Sequence, residues 1–218
     1  MMAKQERSER TMERLVLAAA EQFAAQGFTR ASLAEVSRSA GVTKGALFFH
    51  FSTKDDLANA VLARGQDILE TTVEELRDLE PVFLQVVVDA THTLNQLLRD
   101  NPFVKAGVRV TRERAQDTPL SLDFYPLWLG RLWKLLEDAR RNGELGPSVT
   151  DVSARTLVTA VVSGVETLTW MRVPREETGQ WLGHLWELVL PLLVSGSAEW
   201  QIRTTAPAVG VPKSISEC

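Results

Sequence analysis

The sequence predicts an all-α protein, on three observations. Apolar residues recur at three- and four-residue intervals through almost every long segment, the period of a helix with one buried face. Start and stop signals punctuate those segments: Ser, Thr or Asn stands ahead of the stripe and Gly or Pro behind it. No alternating strand pattern and no internal repeat competes with this reading. The chain is 218 residues long and 44% hydrophobic, enough for a sizeable core in one medium domain or a small domain joined to a larger one.

The elements follow in order. Met12, Leu15, Val16, Ala19, Ala20 and Phe23 form the stripe of a first helix that stops at Gly27. Ser32 and Glu35 make a capping box that opens a short helix with Leu33, Val36 and Ala40 facing inward. Gly41-Val42 is a tight turn, and Thr43 caps a third helix to about His50. Ser52 or Thr53 starts a fourth, through Leu57, Val61 and Leu69. Beyond Pro81 a helix through Val86, Leu94 and Leu98 ends before Asn101-Pro102, and a shorter one covers Phe103 to about Arg112. Asp117 to Pro126 reads as a loop, because Pro119, Ser121 and Pro126 break it. Leu127–Arg141, Asp151–Met171 and Glu176–Val194 complete the helices, and residues 195–218 lose periodicity and read as a tail.

Charge is unevenly placed. The net charge of −4 argues against a polyanion partner, yet residues 1–54 carry +3 and the remainder −7. A basic head on an acidic body fits nucleic acid at the head alone. The single cysteine is Cys218, which excludes an internal disulfide framework and suits a reducing cytoplasm. The opening residues lack an apolar h-region, and Leu188–Val194 is too short to cross a bilayer, so the expectation is a cytoplasmic protein without a membrane partner.

Ser32 to Phe51 carries the chemistry. Two short helices about a glycine turn form a helix-turn-helix, with Val36, Ala40, Val42 and Leu47 available to pack on the first helix. Thr43, Lys44, Gly45 and Ala46 open the second of the pair, where small residues permit close approach to a DNA groove. Lys54 is a cation in the first turn of a helix, against the macrodipole; a nearby phosphate would reverse that sign, and solvent exposure is the plain alternative.

These residues resemble the tetracycline-repressor (TetR) family. Phe23, Gly27 and Phe28, then Gly41 to Leu47, then Phe49-His50-Phe51, Lys54 and Leu57 match its signature over about residues 11–62. The resemblance implies a three-helix DNA-binding domain, about 8–54, and a helical ligand-binding and dimerisation domain, about 55–194. It places Thr43, Lys44, Gly45 and Ala46 in the major groove of a double-stranded operator and His50 and Lys54 on phosphate. A basic arm of Lys4, Arg7 and Arg10 would reach the flanking DNA, and Ser32 and Phe48 complete the expected set. Phe48 departs from the pattern, which has a phosphate-bonding tyrosine there.

The segment Asn101 to Arg109, with Trp128 and Arg155 to Val158, is similar to the γ-butyrolactone receptor branch of that family. That likeness implies a small hydrophobic signalling molecule as ligand and Trp128 as a pocket residue. The pocket should be apolar with a few polar groups. Trp128, Leu132 and Val162, with Thr91, Asn95 and Glu166 as polar members, are the expected lining; a solvated face is the alternative for each polar residue. The last two helices are apolar and carry small residues in pairs, Ala160 with Gly164 and Gly179 with Gly183; packing within one subunit is one reading, and the resemblance, which implies pairing of these helices between subunits, favours a homodimer interface.

Enzyme chemistry finds no support. His50, His92 and His184 lie on three different predicted helices without metal-ligand spacing. No phosphate loop, nucleophile elbow or carboxylate pair is present, so neither cofactor nor metal is expected. The rival readings are a multidrug or antibiotic sensor controlling an exporter, and a helical interaction module without DNA binding.

Overall fold

The computed structural model describes residues 2–114, 123–194 and 201–207. Among them are nine helices: α1 (Met2–Gln26), α2 (Leu33–Ser39), α3 (Lys44–His50), α4 (Lys54–Leu79), α5 (Phe83–Asp100), α6 (Pro102–Glu113), α7 (Phe124–Arg141), α8 (Asp151–Trp170) and α9 (Arg175–Leu193). The lone β feature among the described residues is an isolated bridge between Leu145 and Val194.

Side-chain caps explain most of the boundaries. The hydroxyls of Ser32, Thr43 and Thr150 accept from the amides of Glu35, Ala46 and Ser153. Thr53 and Asp56 cap reciprocally at the start of α4. Asn101 caps α6 on the amides of Phe103 and Val104, with Pro102 at the first helical position, where its missing N–H costs nothing.

Two boundaries differ from expectation. The helix expected from Leu127 begins at Phe124, since the Asp123 carboxylate accepts from the Tyr125 amide and Pro126 falls in the first turn. Residues 117–122 of the expected loop lie outside the described residues. At the other end, α1 already runs from Met2, so Arg7 and Arg10 stand exposed on a helix rather than on an extended arm; the side chain of Lys4 lies outside the described residues.

The chain divides into two compact units. One takes the described residues of Met1–Ile68 and Asn101–Leu127, the other those of Leu69–Asp100 and Trp128–Cys218. In the first, Leu15, Phe23, Val36, Leu47, Leu57, Val61 and Val104 are buried, and α6 lies along α1. This unit holds α6 as well as the 8–54 expected for the head. In the second, α5 packs on α8 and α9 around Val86, Leu94, Val158, Val162 and Trp186.

The reading of 195–218 as tail does not hold at 201–207. That segment has no helix or strand, yet Arg203 makes two bonds to the Asp89 carboxylate (2.7 and 2.8 Å). Gln85 pairs with both the amide and the carbonyl of Arg203, and His92 Nε2 bonds the Thr204 carbonyl at 2.8 Å. The rest of the expected tail lies outside the described residues.

Candidate DNA-binding head and ligand-binding body

The head is built around the turn at Gly41. Its φ of 64° suits glycine, and its amide bonds the Arg38 carbonyl while that of Val42 bonds Ser37. Arg14 of α1 donates to the carbonyls of Ala40 and Gly41, which ties the turn to the first helix. With Leu47 fully buried beneath it, α3 leaves Thr43, Lys44 and Gly45 exposed and Ala46 half-buried. Phe48 is 44% and Phe49 80% exposed, a costly display of aromatic surface on so short a helix. The Lys44 ammonium lies 5.7 Å from the Phe48 ring centre, and His50 meets Phe49 edge-on. Of the expected DNA-facing residues, Thr43, Lys44, Gly45 and Phe48 are thus exposed and Ala46 and His50 half-buried, while Ser32 serves as the cap of α2.

Lys54 is engaged within the chain. Its ammonium donates to the Thr29 carbonyl at 3.2 Å and sits 4.5 Å from the centre of the Phe28 ring. Burial lowers its pKa, against the opposing pull of Asp55 and Glu113. These contacts offset the unfavourable helix dipole without any phosphate.

The body buries every residue expected at the ligand site. Trp128, Thr91, Leu132, Val162, Asn95 and Glu166 are all 3% exposed or less. Thr91 accepts from Trp186 Nε1 at 3.0 Å, and Trp170 Nε1 donates to Glu166. Asn95 accepts from Arg99 and donates to the Arg175 carbonyl, so it belongs to a cleft between α5 and α9. That cleft has a volume of about 510 Å³ and is also lined by His92, Gly179, His184 and Thr205. Trp128 differs from the others. Its indole Nε1 is buried and has no hydrogen-bond partner among the described residues, and the same holds for that of Trp133. An orphaned buried donor costs about 1–3 kcal/mol and calls for an acceptor. Among the described residues, no group of three His, Cys, Asp or Glu is placed to hold a metal.

Residues 15–61 match the family described as bacterial regulatory proteins, tetR family. The solved TetR family protein CprB from S. coelicolor A3(2) is 30% identical, with a TM-score of 0.68 over 89% of this chain and 94% of that one. The chain belongs to the tetR family. A solved γ-butyrolactone receptor (ArpA-like protein) is 26% identical, with a TM-score of 0.70 over 87% of this chain and 91% of that one. The A-factor receptor protein of Streptomyces griseus is 31% identical over 193 residues, 87% of this chain; the chain spans 66% of that relative's length. The family is one of bacterial regulatory proteins, and in this member the helix-turn-helix is α2–α3.

Sequence reasoning missed the side chains that hold this tetR head together. Arg14, Arg109, Glu113 and Arg114 each bridge segments distant in sequence, and an isolated charge on a helix carries no local sign of that. A Cβ at Gly183 would meet the Thr204 carbonyl of the C-terminal segment at 3.7 Å, an ordinary contact distance. Gly164, by contrast, faces open space.

Proposed function

We propose that this tetR-family regulator is a ligand-responsive repressor, a homodimer that binds a palindromic operator and leaves it on binding a small hydrophobic molecule of γ-butyrolactone type. The observation that carries the DNA half is the exposure of α3 behind a turn fixed by Arg14: Thr43, Lys44, Gly45 and Phe48 are exposed, and Ala46 and His50 are half-buried. Arg7 on α1 and the remaining ammonium protons of Lys54 add positive potential for phosphate. A gel shift with DNA upstream of the protein's own gene tests this reading. Salt-sensitive binding to a palindrome is expected; no such binding to any sequence there would sink it.

The ligand half is supported by the buried Trp128 indole N–H, without a partner among the described residues, which a lactone carbonyl would satisfy; Leu132 and Val162, the apolar members of the proposed site, are buried as well. Thr91 and Glu166 are the polar members of the proposed site; Asn95, the third expected, lines the cleft between α5 and α9 instead. Ligand shifts the population toward a conformer whose heads no longer match the half-site spacing. Trp128→Ala is expected to abolish release by a synthetic 2-acyl-γ-butyrolactone while operator affinity stays close to the parent's. Trp128→Phe keeps most of the volume and removes only the donor, which should weaken the lactone by about 0.5–1.5 kcal/mol, roughly two- to twelvefold. Equal lactone sensitivity in both variants and the parent would refute the assignment. The buried Glu166 carboxylate favours a second reading, a sensor of a cationic drug that controls an exporter. Parallel titration of lactones and cationic antibiotics against operator release separates the two.

A further inference from the structure

α1 ends without any basic residue in its last turn, so its terminal carbonyls and the negative end of its dipole lack a local partner. The partner comes from α6. Arg109 Nη1 donates to the carbonyls of Ala24 at 3.2 Å and Ala25 at 3.0 Å, both in the final turn of α1. Its Nε holds the Glu113 carboxylate at 3.3 Å, and that carboxylate accepts from the Thr29 amide at 2.8 Å. Burial acts to raise the Glu113 carboxyl, but the Thr29 bonds and the Arg109 charge outweigh it and hold the group below its ordinary value.

The chain at this point is leaving α1 for α2. Gly27 turns it with a φ of 90°, and any Cβ there would collide with the Glu113 carboxylate. Three residues after Thr29 stands Ser32, the cap of α2. The neighbouring Arg114 completes the grip. It bonds Asn59 at 3.1 Å and Asp55 at 3.0 Å on α4, and lies 5.2 Å from the centre of the Phe28 ring. Gly65 of α4 lets the backbone of Phe103 approach, since a Cβ there would stand 3.0 Å from the Phe103 carbonyl. One turn of α6 thus fixes the end of α1, the turn into α2 and the start of α4.

We propose that α6 is the fourth helix of the DNA-binding head, and that Arg109 and Glu113 are positioning residues for operator binding. They touch no DNA. They set the direction in which the chain enters the helix-turn-helix, and hence the pose of α3. This inference rests on the DNA-binding reading above.

The test uses the full-length protein and an operator selected from random-sequence DNA with the parent. Arg109→Ala and Glu113→Ala are each expected to weaken operator binding by about ten- to hundredfold, as misplacing a supported site does. The double variant should be worse than the weaker single by less than about threefold, because the pair acts as one unit. Arg109→Lys, which keeps the charge, should recover part of the loss. Two readouts separate positioning from its rivals. The DNA-competent fraction in a stoichiometric titration should match the parent's; a lower fraction at unchanged Kd means a structural role only and overturns the proposal. The slope of log Kd against log salt should also match; a slope reduced by about one means Arg109 binds phosphate, and overturns it too. Unchanged Kd in both single variants does the same. If the parent binds no DNA, the regulatory reading fails, and amide exchange at Thr29 in the DNA-free protein judges the clamp by itself. Faster exchange in Arg109→Ala upholds the clamp and unchanged exchange removes it.

Discussion

Phe48 shows how far one side chain can be read from its surroundings. It stands exposed on α3, one turn from Lys44, whose ammonium lies beside its ring. Without a hydroxyl it offers a groove only an apolar face, and the partner for such a face is a thymine methyl or a sugar. Phe48→Tyr restores the phosphate bond of the family pattern and should tighten operator binding by about 0.5–1.5 kcal/mol, measured by titration at fixed salt. Replacing thymines by deoxyuridine in the half-site should weaken the parent and leave Phe48→Ala unmoved; equal loss in both would show that the ring meets no methyl. Phe48 was legible in the sequence because it broke a local pattern. Lys54 was only half legible: its clash with the helix dipole was visible, but the Phe28 ring and Thr29 carbonyl that relieve it lie 26 and 25 residues away.

The same distinction between local and distant causes governs the helices. Their existence, and most of their starts, could be read because a cap and the amide it serves lie within three residues of each other. The start of α7 could not be fixed so well, since Pro126 reads as a breaker until Asp123 is known to cap the turn around it. Nor could the docking of 201–207, whose anchor, Asp89, is 114 residues from Arg203. On α5, Gln85, Asp89 and His92 are buried polar residues at i, i+4 and i+7, and all three bond that segment. Burial raises the pKa of Asp89, and Arg203 opposes the rise. Arg203→Ala therefore leaves a buried carboxylate without its cation, at a cost of about 1–3 kcal/mol, read as a lower Tm near neutral pH. The sign of the pH dependence is fixed. A carboxyl whose folded pKa lies above its unfolded value loses stability as pH rises through the folded value, so the variant's deficit should shrink as the buffer is made more acidic. Asp89→Asn in the same background should remove that pH dependence. A deficit that stays constant with pH would mean the segment is held by its backbone bonds alone.

The body leaves an apolar surface that a single chain does not cover. Val152 on α8 is 74% exposed and Met171, just past its end, 68%; on α9 Leu188 is 72% and Leu192 73% exposed, with Trp181 on the same stripe. In the homodimer proposed above, a two-fold pairing of α8 and α9 with those of a second copy would bury this stripe. The uneven charge fits that arrangement, with the positive balance confined to residues 1–54. Small residues pointed to these helices from the sequence; the large exposed side chains could not be told from buried ones there, because both lie on apolar helices. Leu188→Glu tests it sharply. If Leu188 lies near the two-fold axis, the substitution places two carboxylates close together in an apolar interface, and each raises the other's pKa. An unpaired buried charge costs about 3–5 kcal/mol, enough to dissociate a micromolar dimer. Sedimentation should show a monomer of unchanged helicity. Operator binding should fall to the level of a single half-site, with a second binding step that no longer depends on the first. Glu177→Gln, on an exposed position at the start of α9, serves as the control and should stay dimeric. A Leu188→Glu protein that remains a dimer and binds the palindrome as the parent does would move the interface off this stripe.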